Sequence, residues 1–182
     1  MRRGLLGTDN LNRELQALLN PLDPKVIDSD GDAEPDPARL AGGRRARVAD
    51  RVMQIRNNYD LDVFNGDVGR VVAANASGSA ITVSYDGRRV DYEGQALEEV
   101  VLAYACTVHK SQGSEYPCVV IPVHTQHFVM LQRNLIYTAV TRARRLVVLI
   151  GQARALQIAV ATQREGQRRT ALASELVAAD EI

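Results

Sequence analysis

Residues 107–123, TVHKSQGSEYPCVVIPV, set a polar loop directly ahead of an apolar run. The run CVVIPV (118–123) shows no polar alternation and reads as a strand buried on both faces, as in a parallel sheet covered by helices. VVLAYA (100–105) and LVVLIG (146–151) share that texture. Helical patterns over 130–143 and 152–164 separate or follow these runs, which predicts an α/β fold with right-handed crossovers. Loops at the carboxyl ends of such strands are where ligands bind. The loop 107–115 offers Thr107, His109, Lys110, Ser111, Gln112, an unhindered Gly113 and Glu115. Hydroxyls, a lysine and a glycine backbone suit phosphate groups, and a carboxylate can accept from a ribose hydroxyl. The plain alternative is a polar surface loop whose glycine serves a turn.

Upstream the texture differs. RVMQIR (51–56), GRVVAA (69–74), AITVSY (80–85) and RRVDY (88–92) read as short strands. Turn signals fall at Asn65-Gly66, Ser77-Gly78 and Asp86-Gly87. Short strands with glycine turns at close spacing predict a small antiparallel barrel over residues 48–99. Residues 8–19 read as a helix capped by Thr8 or Asp9, with Leu11, Leu15, Leu18 and Leu19 as its apolar stripe. Pro21 and Pro24 stop it. Residues 21–47 are rich in Asp, Pro, Gly and then Arg without periodicity, and read as a mobile charged loop.

Downstream, RNLIYTAVTRARR (133–145) puts Leu135, Ile136, Ala139, Val140 and Ala143 on a buried face. Asn134, Thr138 and Arg142 recur at i, i+4 and i+8 on one polar stripe. An arginine there can reach a phosphoryl group across a cleft; the plain alternative is a cation favoured near a helix C-terminus.

The chain has 182 residues, 46% hydrophobic and 24% charged, with formal net charge +0. That balance by itself points to no polyanionic partner. The distribution is uneven: Asp23, Asp28, Asp30, Asp32, Glu34 and Asp36 face only Lys25 over 22–37, whereas the stretch from Arg133 to Arg169 is dominated by arginine. A basic stretch of this kind either meets phosphates or forms solvated helix faces. No apolar run reaches membrane-spanning length, and the basic start MRRGLLGTDN lacks the apolar core of a secretory signal. Two cysteines, Cys106 and Cys118, make no disulfide framework, so a reducing, cytoplasmic location is expected.

Taken together, TVHKSQGSEYPCVVIP and RNLIYTAVTRARRLVVLIG resemble motifs V and VI of superfamily 1 DNA helicases, most closely those of the RecD-like branch. RVMQIRNNYDLDVFNGDVGRV and ITVSYDGRRVDY resemble the SH3-like module inserted in the second RecA-like domain of that branch. The opening MRRGLLGTDNLNRELQALLNP resembles the start of that domain, including its motif IV region. The resemblance implies an α/β RecA-like parallel-sheet domain, a partial P-loop NTPase fold, with an inserted SH3-like barrel. Its parts would be residues 1–20 and 100–165 for the RecA-like domain, 21–47 for the loop, 48–99 for the barrel and 166–182 for a tail. It also implies roles. Thr107, His109, Lys110 and Ser111 would face single-stranded DNA; Gly113, Glu115 and Gln112 would face the nucleotide, with Glu115 near the ribose. Arg142 would be the finger on the γ-phosphate, its helix positioned by Thr138 and Thr141, and Arg3 or Arg2 would be the motif IV arginine. One departure stands out: Ala49 precedes Asp50 where the family usually has glycine.

A motor also needs the loop G-x-x-x-x-G-K-[ST]. Lys25 follows Pro24 and Lys110 follows His109, so this sequence contains none. ATP with Mg2+ would be bound mainly by a first RecA-like domain, the chain's expected partner besides single-stranded DNA, with no membrane involved. Alone, the chain is expected to be inactive as an ATPase. The resemblance also suggests 5′-to-3′ movement. The alternative is a non-catalytic strand-binding or partner-docking module built on the barrel. Strand binders of that type usually expose aromatics, and the chain has 4% aromatics and no Trp. Cys106, His109, Cys118, His124 and His127 match no zinc spacing. Asp28, Asp30 and Asp32 begin like a calcium loop, but Ala33 and Arg39 stand where Gly and Glu are required. No metal site is expected.

Overall fold

A computed structural model describes residues 4–21, 38–75 and 78–163. The chain divides into two compact units, Met1–Tyr116 and Pro117–Ile182. Among the described residues no helix is long and apolar enough to cross a membrane.

The first unit is built on a five-stranded antiparallel sheet. Its strands are β3 (Arg51–Gln54), β4 (Val68–Ala74), β5 (Ala80–Tyr85), β6 (Arg88–Glu93) and β7 (Val100–Leu102), in the order β6-β5-β4-β3-β7. Alternation decides which side chains go inward: Ile81, Val83 and Tyr85 in β5, and Val90 and Tyr92 in β6, are buried, while their neighbours are not. With Val52, Val71, Leu97, Val100 and Leu102 they form the core. The β5–β6 turn is the two residues Asp86 and Gly87, with φ of 47° and 92°, the positive pair that a two-residue hairpin demands.

The predicted strand at 100–105 forms, but it is shorter and lies elsewhere. β7 pairs antiparallel with β3, Val52 opposite Leu102 and Gln54 opposite Val100. The bonds Ile55 N–H to Glu99 O (2.8 Å) and Ala103 N–H to Arg51 O (2.8 Å) extend the ladder at both ends. A short Val-Val-Leu run fits an antiparallel neighbour as well as a parallel one, and the free edge of β3 takes it. Residues 38–46, expected as loop, form a small hairpin of β1 (Arg39–Leu40) and β2 (Arg44–Arg45). It sends Ala38, Leu40 and Ala46 into the core and bonds Ala41 N–H to Val100 O at 3.0 Å.

Helix α1 (Thr8–Leu19) has the predicted bounds but another cap and another face. Gly7 is the N-cap, without a side-chain bond, so neither Thr8 nor Asp9 fills that role. Leu18 and Leu19 are 76% and 67% exposed; the buried residues are Asn12 and Gln16. The helix docks through amides because its partners are polar. Asn12 bonds the backbone of Ala105. Gln16 Nε2 donates to Asp50 Oδ2 (2.5 Å) and Arg45 O (3.0 Å).

In the second unit β8 (Tyr116–Val123) pairs with β9 (Ala143–Gly151). Helices α2 (Arg133–Val140) and α3 (Ala153–Ala161) pack together, with Arg133 N–H bonded to Thr162 O at 3.0 Å. Ile121, Val123, Leu131, Ala139, Ala155 and Ala159 are buried. The apolar runs were expected to be covered on both faces. Instead Val120, Leu146, Leu149 and Ile150 are exposed, because a two-stranded ribbon offers more apolar face than two short helices cover.

Candidate functional site

The loop after β7 is shaped by its own hydroxyls. Thr107 caps a 3-10 turn, Val108–Ser111: its Oγ1 accepts from Lys110 N–H at 3.4 Å, and its carbonyl accepts from Lys110 N–H (3.0 Å) and Ser111 N–H (3.2 Å). Ser111 is buried and donates its hydroxyl to Val108 O at 2.8 Å. His109 is exposed and Lys110 half-buried. Gln112 and Gly113 follow in the open. Gly113 has φ +85° and nothing within 4 Å of where a Cβ would stand, so its backbone is approachable by a ligand and its conformation favours glycine. Glu115 is exposed. The predicted strand-facing residues thus share one turn, while Gln112, Gly113 and Glu115 lie beyond it.

Two anchors hold the approach to this turn. Ala105 is gripped by Asn12, whose Nδ2 donates to Ala105 O at 2.8 Å while Oδ1 accepts from Ala105 N–H at 2.8 Å. Tyr104 donates its hydroxyl to Asp50 Oδ1 at 2.7 Å. Asp50 is fully buried and also accepts from Gln16 Nε2, from Asn20 Nδ2 at 2.7 Å and from Arg47 N–H at 2.8 Å. A buried carboxylate is tolerated when its lone pairs are met in this way. Burial, and then the bond to Asp50, push the Tyr104 hydroxyl up to about 12. Ala49 takes φ +75°, so the bend at the Ala-for-Gly departure is kept by an alanine in the left-handed region. Sequence reasoning did not single out Asn12, Gln16 or Tyr104. Amides on the inward face of an otherwise leucine-rich helix were the available signal.

The barrel turn also meets this loop: a Cβ on Gly66 would stand 3.9 Å from Lys110 O. Of the tyrosines that could stack on a base, Tyr85 and Tyr92 belong to the core. Tyr85 Oη lies 2.8 Å from Tyr92 Oη, and Tyr92 donates to Gln54 Oε1 at 3.0 Å. With the Tyr92 proton spent on Gln54, Tyr85 donates to Tyr92. Burial foremost raises the pKa of both hydroxyls. The network continues through Gln54 Nε2 to Glu99 Oε2 (3.0 Å), which also accepts from Asn58 Nδ2 (2.9 Å). Asn58 opens a loop that presents Tyr59, 77% exposed, edge-on to Phe64, with ring centroids 6.0 Å apart.

In the second unit the helix expected over 130–143 covers Arg133–Val140 only, so Asn134 and Thr138 stand one turn apart on α2 while Arg142 lies beyond its end and Ala143 opens β9. Thr138 Oγ1 donates to Asn134 O at 2.8 Å, Thr141 Oγ1 to Thr138 O at 3.0 Å, and Arg142 Nε to Thr138 O at 3.3 Å. Arg142 is half-buried just past the helix end. A cleft of about 320 Å³ beside the helix is lined by Arg133, Asn134, Tyr137, Thr138, Thr162 and Gln163. Arg3 and Arg2 lie outside the described residues, as do Asp28, Asp30 and Asp32. Among the described residues no three His, Cys, Asp or Glu side chains come together as a metal site.

Comparison with known proteins bears on both units. Residues 11–85 match the SH3 domain of ATP-dependent RecD-like DNA helicases, and residues 102–150 match the UvrD-like helicase C-terminal domain. The chain belongs to the RecD-like superfamily 1 helicases. It is 44% identical over 172 residues to the ATP-dependent RecD2 DNA helicase of Deinococcus radiodurans, covering 94% of this chain and 22% of that one. It is 31% identical over 175 residues to the RecBCD enzyme subunit RecD of Mycolicibacterium smegmatis, covering 96% of this chain and 28% of that one. The chain therefore spans about a quarter of these relatives' length. In fold it is similar to Bacteroides Pif1 bound to ssDNA, with TM-score 0.53 and 21% identity over 91% of this chain and 44% of that one. A second Pif1 structure, in complex with ADP-AlF3 and ssDNA, gives TM-score 0.51 and 23% identity over 75% and 34% of the two chains. The fold is the expected α/β helicase domain with an SH3-like module.

Proposed function

We propose that this RecD-like region is the C-terminal motor lobe of an ATP-dependent DNA helicase that moves 5′ to 3′. The single observation that carries the reading is the union in one chain of an SH3 domain of RecD-like type with a UvrD-like C-terminal domain. In this reading residues 1–20 and the chain from 100 to 165 belong to the second RecA-like domain around an inserted barrel at 48–99, whose sheet also takes in β7 (Val100–Leu102). His109 and Lys110 face single-stranded DNA from the turn that Thr107 and Ser111 shape. Gly113, Gln112 and Glu115 face the nucleotide, together with Arg3.

The residues present fit part of a nucleotide. The backbone at Gly113 is open to a phosphate or ribose edge, and the Thr138 carbonyl accepts from Arg142 Nε at 3.3 Å. ATP with Mg2+ would be held mainly by the first RecA-like domain, the lobe's partner. When that domain brings a γ-phosphate, Arg142 stabilises the charge that develops on it, so hydrolysis waits for lobe approach. The test is ATP turnover. The 182-residue chain alone gives none above background, and a P-loop domain joined to it restores turnover that depends on Arg142.

A second reading has one observation in its favour. The exposed Tyr59–Phe64 pair stands on a loop pinned by the Asn58–Val63 bridge and by Arg88 on Leu61 O. On this reading the barrel is a non-catalytic module that binds strands or partners through those rings. Tight DNA binding that resists salt and is lost in Tyr59→Ala would favour it.

A further inference from the structure

We propose that Asn12 is a positioning residue for the strand-contacting turn, acting through Ala105; this rests on the reading of that turn given above. The bonds among Thr107, Lys110, Ser111 and Val108 close within the turn and fix its shape. Its place on the unit is set where the chain leads into it, at Tyr104 and Ala105. Asn12 meets both backbone groups of Ala105 with one amide, as a neighbouring strand would. It comes from a residue 93 positions earlier in the chain and is 7% exposed. Tyr104 is held by Asp50, which Gln16 of the same helix face also holds. Helix α1 therefore holds Ala105 directly and Tyr104 through Asp50, two and three positions ahead of Thr107.

The chemistry requires this side chain. Leucine at position 12 would extend the helix's apolar stripe but leave the Ala105 N–H and C=O without partners. Aspartate would keep the bond from Ala105 N–H and lose the donor to Ala105 O. Asn12 touches neither strand nor nucleotide in this account; it holds the backbone from which His109 and Lys110 project.

The experiment compares the 182-residue chain with Asn12→Ala, Asn12→Asp and the control Tyr85→Phe, which removes a barrel-core hydroxyl far from the turn in sequence. Two readouts are taken: amide hydrogen exchange by residue, and affinity for a labelled oligo-dT at low salt. Asn12→Ala is expected to speed exchange at Ala105 and across 107–111 by about tenfold, the scale of one hydrogen bond. Exchange in β5 stays as it was. Oligo-dT affinity falls by a similar factor, Asn12→Asp lies between, and Tyr85→Phe moves neither turn exchange nor affinity. Unchanged exchange at 105–111, or an affinity loss no larger than that of Tyr85→Phe, overturns the proposal. If the unaltered chain does not hold oligo-dT at low salt, the strand-contacting reading itself fails, and the exchange data still decide whether Asn12 positions the turn.

Discussion

Tyr104 donates its hydroxyl to Asp50 Oδ1 at 2.7 Å, across 54 residues of chain. Asp50 is the point where helix α1, the bend before β3 and the approach to the 107–111 turn meet. Asp50→Ala strands the donors of Gln16, Asn20, Arg47 N–H and Tyr104. Urea unfolding should show a loss of at least about 3 kcal/mol, because several donors lose their acceptor at about 1–3 kcal/mol each, against about 1.5–3 kcal/mol for Tyr104→Phe.

The same hydroxyl predicts an alkaline response. Tyr104 is raised from 10.0 to about 12 in the fold, so the folded chain keeps a proton that the unfolded chain gives up. Its contribution is complete below pH 10 and is lost as pH rises from 10 towards 12. Tyr85 and Tyr92, also raised, add to that decline. Stability measured against pH should fall above pH 10, and less steeply in Tyr104→Phe.

Ala49 at φ +75° holds a conformation in which a Cβ is crowded, at a cost of about 1–2 kcal/mol. Ala49→Gly relieves that cost and gives back part of it as chain entropy in the unfolded state. A gain of up to about 1 kcal/mol in the unfolding free energy measured in urea is expected, whereas Ala49→Val should lose more than that.

Two glycines separate packing from backbone freedom. A Cβ on Gly151 would stand 1.9 Å from Val123 O, at φ +143°. Gly151→Ala should therefore cost about 3 kcal/mol by forcing β8 and β9 apart. Gly113→Ala meets nothing within 4 Å and should cost only the backbone term of a Cβ at positive φ, about 1–2 kcal/mol, while weakening any ligand that needs close approach there.

Lys110 sits in the turn assigned to strand contact. If it meets a phosphate, the slope of log affinity for oligo-dT against log salt should become less negative by about 0.7 in Lys110→Ala. An unchanged slope would move the phosphate contact elsewhere.

The barrel was legible in the sequence because its signals are local: alternation in β5 and β6, and Asp86-Gly87 at the hairpin. Helix α1 was legible in extent but not in orientation. Counting leucines chose the wrong face, since the partners of Asn12 and Gln16 lie 93 and 34 residues away. β7 was taken for a parallel strand because Val-Val-Leu carries no mark of its neighbour. The 107–115 loop and the Asn134–Thr138–Arg142 stripe were visible as chemistry, but their roles came from family resemblance. Ala49 shows the reverse case: a departure from the family pattern pointed straight at a strained residue.

The most direct test of the motor-lobe account is single-strand-stimulated ATP hydrolysis with and without Arg142→Ala. The 182-residue chain should show no turnover above background. Joined to a P-loop domain it should turn over ATP, and Arg142→Ala should then reduce kcat by about 10³-fold or more with oligo-dT affinity unchanged. Turnover by the chain alone that depends on Arg142, or a joined motor indifferent to Arg142→Ala, would contradict it.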